Sequence, residues 1–364
     1  MLLLYVLGLV ILVNCIFYLL FSKFSFLILA ESTSVEDYPV SLIVCAKNEA
    51  ENLKKNIPLW LEQDYPNFEL ILTNDASIDD TLLIIQEFAE IDSRIQIVDV
   101  ENNEAFWASK KYALTLGIKR AKNKRMVFTD ADCRPASKQW LRSMASNFSK
   151  QKQLILGYGA YEKKPGLLNK LIRYETLLTA VQYFSFAKAG IPYMGVGRNL
   201  AYTSQLYYNT NGFMSHIKVA SGDDDLFVNE AATAKNTTIC FEEAAFTYSE
   251  PKKSWNTWIL QKKRHISTAR FYKPKHKILL GVYYLFNLSF WVFAGFTFIF
   301  LDWKIPLFIV CFRFLIQFIV VGKAALKLKE RSLVPFIPLL ELFLLFVQLS
   351  IFISNSTSKS SRWK

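Results

Sequence analysis

Charge is spread so unevenly along this chain that it divides the molecule before any other feature is consulted. Residues 1–22 (MLLLYVLGLVILVNCIFYLLFS) and 278–301 (ILLGVYYLFNLSFWVFAGFTFIFL) hold no charged side chain, and two more apolar stretches follow near 305–322 and 333–353. About 20 apolar residues span a bilayer core as a helix, so one span is expected at the N-terminus and three at the C-terminus. The first run has no basic segment before it and no small-residue cleavage site after it, which predicts an uncleaved anchor rather than a signal peptide. The polar stretch between the ends is long enough for one globular domain. The expected division is therefore a membrane helix over 1–30, a soluble domain over 31–277, and three membrane or membrane-associated helices with a short tail over 278–364.

Basic residues orient these spans. The net charge is +12, and residues 251–277 hold nine Lys or Arg and no acid. Basic flanks mark the cytoplasmic side. That block and the loop Lys323 to Arg331 agree if the N-terminus is outside and residues 30–277 are inside, at the plasma membrane. The basic tail Lys359–Lys364 falls outside on this count, which leaves either an interfacial last segment or a count off by one. Basic residues beside a span bind anionic headgroups, and no nucleic-acid motif accompanies them, so no nucleic-acid partner is expected. The cysteines (Cys15, Cys45, Cys133, Cys240, Cys311) lack metal-site spacing, in keeping with a reduced compartment.

The soluble stretch alternates strand and helix patterns. Strands are expected at Pro39–Cys45, Phe68–Thr73, Ile95–Val100 and Arg125–Thr129. Helices are expected at Asn48–Gln63, Thr81–Ile91 and Ala108–Ala121, after a polar linker over 31–37. Alternation of this kind gives an α/β fold with a mainly parallel sheet covered by helices. Ligands bind such sheets beyond the carboxyl ends of the strands, and there the polar residues gather: Lys47 to Glu49, Asn74 to Asp80, Asp130 to Asp132. Leu154–Tyr161 reads as a further strand. Gly166–Ala189 reads either as an amphipathic helix on the membrane surface or as an ordinary packing helix.

Asp130-Ala131-Asp132 follows an apolar strand. Two carboxylates so placed share a hard divalent cation, Mg²⁺ or Mn²⁺, although a solvated turn has the same sequence. Asp75 ends the second strand, where a carboxylate accepts hydrogen bonds from a base or ribose, or else caps a helix, a role that Asp79 and Ser77 also suit. Lys110 and Lys111 open a helix and are candidates to reach a phosphate, or else form a solvated face. Arg313 and Glu341 each lie mid-span, where charge is costly. A structural ion pair is expected, with contact to a lipid acceptor as the alternative.

The ordered motifs VSLIVCAKNEAENL, LILTNDASIDDT, SKKYALTLGI and VFTDADCRP, followed by GVGRNLAY, SGDDDLF and QKKRH, resemble family 2 glycosyltransferases of the GT-A fold over about residues 39–270. The resemblance implies a nucleotide-sugar donor, UDP-linked by default, and a metal-dependent hexosyl- or N-acetylhexosaminyl-type transfer. It implies that Asp75 holds the nucleoside, that Lys110 stands for the lysine of a Gly-Lys-x-x-Ala-Leu pattern, and that Asp130 and Asp132 hold metal and diphosphate. Within Asp223-Asp224-Asp225 it implies the catalytic base. Alignment on Leu226 favours Asp223, and a gap-free match favours Asp224, which we prefer. Gln261 and Arg264 match a Gln-x-x-Arg-Trp motif that grips the donor, with His265 in place of the tryptophan. Gly195-Val196-Gly197-Arg198-Asn199 resembles a loop below the acceptor pocket.

The expected function is an inverting transfer onto a membrane lipid or lipid-linked glycan. A processive polysaccharide synthase is the alternative, disfavoured by His265 and the few spans. A non-catalytic nucleotide-sugar sensor is the second alternative, disfavoured by the full set of carboxylates.

Overall fold

The computed structural model describes residues 1–28, 38–101, 109–219 and 221–357. The linker expected at 31–37, Ala108 and the tail Lys359–Lys364 lie outside the described residues. In chain order the elements begin with the apolar helix α1 (Leu2–Ser25). Strand and helix then alternate: β1 (Val40–Ala46), α2 (Ala50–Leu61), β2 (Phe68–Asp75), α3 (Thr81–Ile91), β3 (Ile95–Val100), α4 (Ser109–Arg120) and β4 (Arg125–Asp130). Shorter elements follow: β5 (Cys133–Pro135), α5 (Trp140–Ala145), β6 (Leu154–Leu156), β7 (Gly159–Tyr161) and the long α6 (Leu167–Lys188). Then come β8 (Leu200–Thr203), α7 (Ser204–Asn209), α8 (Asp225–Ala231), β9 (Thr237–Ile239) and β10 (Thr247–Ser249). The chain continues through α9 (Trp255–Ala269), α10 (Pro274–Phe300), α11 (Lys304–Lys327) and α12 (Ile337–Thr357).

These elements form two compact units. One comprises Leu29–Glu162 and Gly190–Pro251; the other comprises Met1–Ile28, Lys163–Ala189 and Lys252–Lys364.

The α/β unit is built on a seven-stranded sheet of order β3-β2-β1-β4-β8-β6-β9. The first four strands in that order are parallel, and β8 runs antiparallel to both β4 and β6. Every residue of β2 is buried, as expected of a strand covered on both faces. The core joins Leu42, Val44, Leu70, Leu72 and Val127 to Leu53, Ile57, Trp60 and Trp140 of the flanking helices. The expected strand at 154–161 is two strands in two sheets. β6 belongs to the large one and β7 to a three-stranded sheet of order β5-β10-β7.

The helical unit holds four helices long and apolar enough to cross a membrane: α1, α10, α11 and the segment Arg331–Ser354 that contains α12. Leu7, Val10 and Ile11 of α1 pack with Phe290, Ala294 and Val310. Helix α6 lies against these helices, with Phe184 at 5.0 Å from Phe24 and Ser185 Oγ donating to the Phe21 carbonyl at 3.1 Å.

The expected ion pair forms: Arg313 Nη1 lies 2.8 Å from Glu341 Oε2, and both side chains are buried. Asn14, Asn287 and Gln317 complete the cluster, each accepting from the Arg313 guanidinium at 2.8–3.3 Å. Asn14 lies on α1, Asn287 on α10, Gln317 on α11 and Glu341 on α12, so one guanidinium joins all four helices.

Candidate active site

The site of the α/β unit lies at the carboxyl edge of the parallel strands. Its first half is held by cross-ties between the loops after β1 and β2. Asn48 adopts φ +58° and Ala76 φ +48°. Ser77 Oγ accepts from the Asn48 N–H at 3.0 Å, and Asn48 Oδ1 accepts from the Ile78 N–H at 2.9 Å. Thr81 Oγ1 accepts from the Glu49 N–H at 2.8 Å, and Asp79 serves the Ala50 N–H at 3.3 Å and the Thr81 N–H at 3.1 Å. The capping role open to Asp79 is thus exercised on two helices. Asp75 is buried at the end of β2, with Lys47 Nζ at 3.8 Å.

β1 separates Asp75 from the second half. Its Cys45 pairs with Asp130 across β4, and its Ala46 pairs with Asn74 across β2. At about 4.8 Å per strand, β2 and β4 lie about 10 Å apart, and Asp75 sits two residues further along its strand than the level of Asp130.

Lys110 reaches this edge because α4 lies close on the sheet. Gly117 makes that approach possible: a Cβ there would stand 2.9 Å from Thr73 Oγ1 and 3.1 Å from Ile43. Lys110 Nζ donates to Asp130 Oδ1 at 2.9 Å and meets Asp223 Oδ2 at 2.8 Å. Lys111, one residue on, points elsewhere. It is buried, and its ammonium donates to the carbonyls of His216 at 2.7 Å and Val219 at 2.9 Å. It is neither a solvated side chain nor free to reach a phosphate, and it braces the segment leading into the aspartates. Burial lowers its pKa to about 8, partly offset by Asp223, Asp225 and Asp224.

The three aspartates are made distinct by their backbone. Gly222 turns the chain at φ +96°, where a Cβ would collide with Leu226 at 2.5 Å. Asp224 then sits at the start of α8, accepting from the Gly197 N–H at 2.7 Å and the Asp225 N–H at 2.7 Å. Gly197 is on hand because β8 runs antiparallel to β4, with Phe128 opposite Leu200, which brings the Gly195–Asn199 turn to the Asp130 edge. Asp225 turns away and accepts from the Leu226 N–H at 2.8 Å.

Electrostatics separates the neighbours further. Burial raises the Asp224 pKa, Asp223 and Asp225 add to the rise, and it reaches about 7. Burial also opposes charge on Asp223, but the Lys110 ammonium outweighs it and holds that carboxyl below its usual range. Burial lowers the Lys110 pKa less than Asp130, Asp223 and Asp224 raise it, so Lys110 stays charged.

One cleft is lined by Cys45, Lys110, Thr129, Asp130, Gly197, Asp223 and Asp224, with Leu114, Phe128, Leu200 and Tyr202 as its mainly apolar wall. The structure thus brings Lys110, Asp130, Asp223 and Asp224 together, with Asp75 one strand beyond Cys45. Gln261 and Arg264 lie on α9 in the helical unit. Sequence reasoning missed Cys45, Leu200 and Tyr202 as lining residues. For Cys45 the signal was its place at the end of β1, the strand between those that end in Asp75 and Asp130.

Asp130, Asp132 and Cys133 each offer one ligand atom within 4.8 Å of the others. Two carboxylate oxygens suit a hard cation such as Mg²⁺ or Mn²⁺. Cys133 does not: burial pushes its thiol pKa well up, helped by Asp132 and Asp130, and its Sγ lies 3.4 Å from Asp132 Oδ1 as a donor. The fitting pair is Asp130 and Asp132.

Residues 41–209 match the profile of glycosyl transferase family 2. The chain carries a family 2 glycosyltransferase domain. The fold is that of a mannosyltransferase from Pyrobaculum calidifontis, solved in complex with GDP-Man and Mn²⁺, at TM-score 0.58 and 15% identity over 93% of this chain and 98% of that one. An uncharacterized glycosyltransferase of Haemophilus influenzae is 31% identical over 38% of this chain and 42% of its own length. The UDP-Glc:alpha-D-GlcNAc-diphosphoundecaprenol beta-1,3-glucosyltransferase WfaP of Escherichia coli is 30% identical over 34% of this chain and 45% of its own length. The chain spans less than half the length of these two relatives. The matched domain and the fold neighbour give the chain a GT-A fold, with apolar helices at both ends.

Proposed function

We propose that the chain is an inverting glycosyltransferase that moves a sugar from a nucleotide-diphosphate donor, UDP-linked by preference, to a membrane lipid or lipid-linked glycan. One observation carries this reading: Asp224, raised to about 7, stands in a shared cleft with Asp223, Asp130 and Lys110, so one carboxyl is poised to exchange a proton beside Asp223 and Lys110, which stay charged. Groups whose environments push their pKa values apart are the acid–base candidates of a site.

In this reading Asp224 takes the proton of the acceptor hydroxyl. The hydroxyl oxygen then bonds to the anomeric carbon as the bond from that carbon to the diphosphate breaks. A single displacement inverts the centre, and the nucleoside diphosphate leaves. Asp75 holds the nucleoside, Lys110 faces the phosphates, and Gln261 with Arg264 grips the diphosphate. Asp130 and Asp132 would hold Mg²⁺ or Mn²⁺, which when bound neutralises charge on the departing diphosphate. The acceptor class is supported by the apolar helices and by the lipid-linked substrate named for the Escherichia coli relative. The basic flank at 251–277 favours a cytoplasmic catalytic domain at the plasma membrane.

A donor screen with purified protein in detergent, with and without Mn²⁺, tests the reading. Turnover is expected with one nucleotide sugar, is lost on chelation, and is lost in Asp132→Ala and Asp224→Ala with the fold retained. Normal turnover in both variants removes the basis of the assignment, as does donor binding without transfer. A long polymeric product would favour the synthase.

A further inference from the structure

Length and hydropathy alone make the last apolar segment a fourth crossing. Four crossings put the sequence's final basic residues, Lys359, Arg362 and Lys364, on the face opposite the basic block at 251–277. Basic flanks gather on one face of a membrane, so that count sets the chain against its own charge pattern.

The contacts of α12 tell a different story. The segment begins just after α11, where the Glu330 N–H donates to the Ala325 carbonyl at 2.7 Å. Its carboxylate receives Arg173 of α6, with Nε to Oε2 at 3.0 Å, and Arg173 Nη2 also donates to Ser332 Oγ at 2.9 Å. The far end of α12 is held by α9: Lys263 Nζ donates to Ser354 Oγ at 2.8 Å. Trp255, at the start of α9, packs against Phe343 with ring centroids 5.8 Å apart. Residue 255 beside 343 and 263 beside 354 make α9 and α12 run alongside each other in the same direction. Lys262 of α9 in turn meets Glu175 of α6 at 2.6 Å, two residues from Arg173. The same turn of α6 therefore holds the start of the α12 segment and, through α9, its end.

Helix α9 fixes the depth. It carries Lys262, Lys263, Arg264 and His265 in succession. Lys and Arg are costly at the centre of a bilayer, so α9 rests at the headgroups. A helix aligned with it along much of its length, with Glu341 reaching Arg313 of α11, lies in the same leaflet just below those headgroups. Packing on α10 agrees. Glu341 accepts from Trp291 Nε1 at 3.3 Å, whereas the Leu345 carbonyl accepts from Tyr284 Oη at 3.3 Å. As α12 advances, its partner on α10 recedes toward the basic start of that helix, the sense opposite to a crossing made alongside α10.

The geometry points to a fourth helix that does not cross: α12 lies within the leaflet on which α9 rests, and its partner is the acyl layer of that single monolayer. Leu339, Phe346 and Ile353 are exposed and spaced to share one face of the helix. That face meets the lipid. The opposite face carries Glu341 to Arg313 and packs Leu340, Leu344 and Leu345 inward. The chain then crosses three times, and the end of α12 falls on the same side as the block at 251–277. This inference rests on no assignment of activity.

Sidedness of single cysteines tests it. Lys304→Cys, Arg331→Cys and Lys359→Cys are placed one at a time in the full chain, with the native cysteines replaced by alanine. Each is labelled in sealed membrane vesicles with a membrane-impermeant maleimide. Lys359→Cys is expected to label from the same side as Arg331→Cys and to be protected where Lys304→Cys is labelled. Labelling of Lys359→Cys together with Lys304→Cys overturns the proposal. Should the cysteine-free chain fail to fold, an epitope after Lys364 on the otherwise native chain replaces it. Protease that cuts the 251–277 block in sealed vesicles is expected to remove the epitope too, and protection of the epitope under those conditions overturns the proposal.

Discussion

Lys110 Nζ lies 2.8 Å from Asp223 Oδ2, and this contact decides which of two adjacent aspartates stays ionised. Lys110 holds Asp223 below the usual carboxylate range, while Asp224, next in sequence and without such a partner, is raised by burial and by its acidic neighbours to about 7. A base works only in its deprotonated form. Turnover should therefore be low in acid and climb as pH rises through about 7, following loss of the Asp224 proton. Asp224→Asn should remove that limb and lower kcat by about 10²–10⁴-fold, the usual contribution of a positioned base. A kcat profile from pH 5 to 9 for both proteins is the check. A wild-type profile flat across that range would exclude Asp224 as the titrating group.

Lys110→Met extends the same logic. The ammonium lowers the pKa of both Asp223 and Asp224 through its charge. Without it both carboxyls gain affinity for a proton, so the acid limb of the rate profile should move to higher pH. Donor KM should rise as well, because a cation facing the phosphates is gone. An unmoved limb would mean that Lys110 and the titrating group do not share a field.

Much of this site was legible in sequence, for a reason visible in β1, β2 and β4. Parallel strands buried on both faces are mostly apolar runs, so VSLIVC, FELILT and RMVFT announce themselves, and Asp75 and Asp130 are the first charges after two of them. The ends of the chain were legible because uncharged stretches of that length have few fates. What sequence did not disclose is long-range order. The antiparallel insertion of β8 brings Gly197 to Asp224, and three-residue strands such as β6 and β7 carry no period from which to read a sheet. Lys110 and Lys111 are adjacent in sequence, yet about 100° apart around a helix. One faces the cleft and the other the protein interior, a difference set by the packing of α4 at Gly117.

Asn199 illustrates a role hidden within a motif singled out for its glycines. Its Nδ2 donates to the carbonyls of Tyr158 at 3.0 Å and Ala245 at 2.7 Å, and its Oδ1 accepts from Trp140 Nε1 at 3.1 Å. All four residues are buried. Asn199→Ala takes the amide from Trp140 Nε1 and the Ala245 carbonyl, at about 1–3 kcal/mol each, while the Tyr158 carbonyl keeps the Thr247 N–H at 3.2 Å. The α/β unit should lose about 2 kcal/mol or more, visible as earlier unfolding in Trp fluorescence. Unchanged unfolding would show that water replaces the amide.

The cluster around Arg313 makes a sharper demand, because its two charges are worth little together and much apart. Removing one member of a buried pair strands the other and costs about 3–5 kcal/mol, whereas replacing both with apolar residues is often neutral. Arg313→Leu should leave Glu341 with Gln317 Nε2 at 2.8 Å and Trp291 Nε1 as its remaining donors, an incomplete neutralisation. Thermal unfolding in detergent should begin well below that of the wild type. Arg313→Leu combined with Glu341→Leu should recover most of the loss, although Asn14 and Asn287 then lack the guanidinium they accept from. If instead the double variant is no more stable than Arg313→Leu, the charge of Glu341 was never the cost. The amides of Asn14, Asn287 and Gln317 would then be the groups that need Arg313, and the cluster would hold the helices as a hydrogen-bond network rather than as an ion pair.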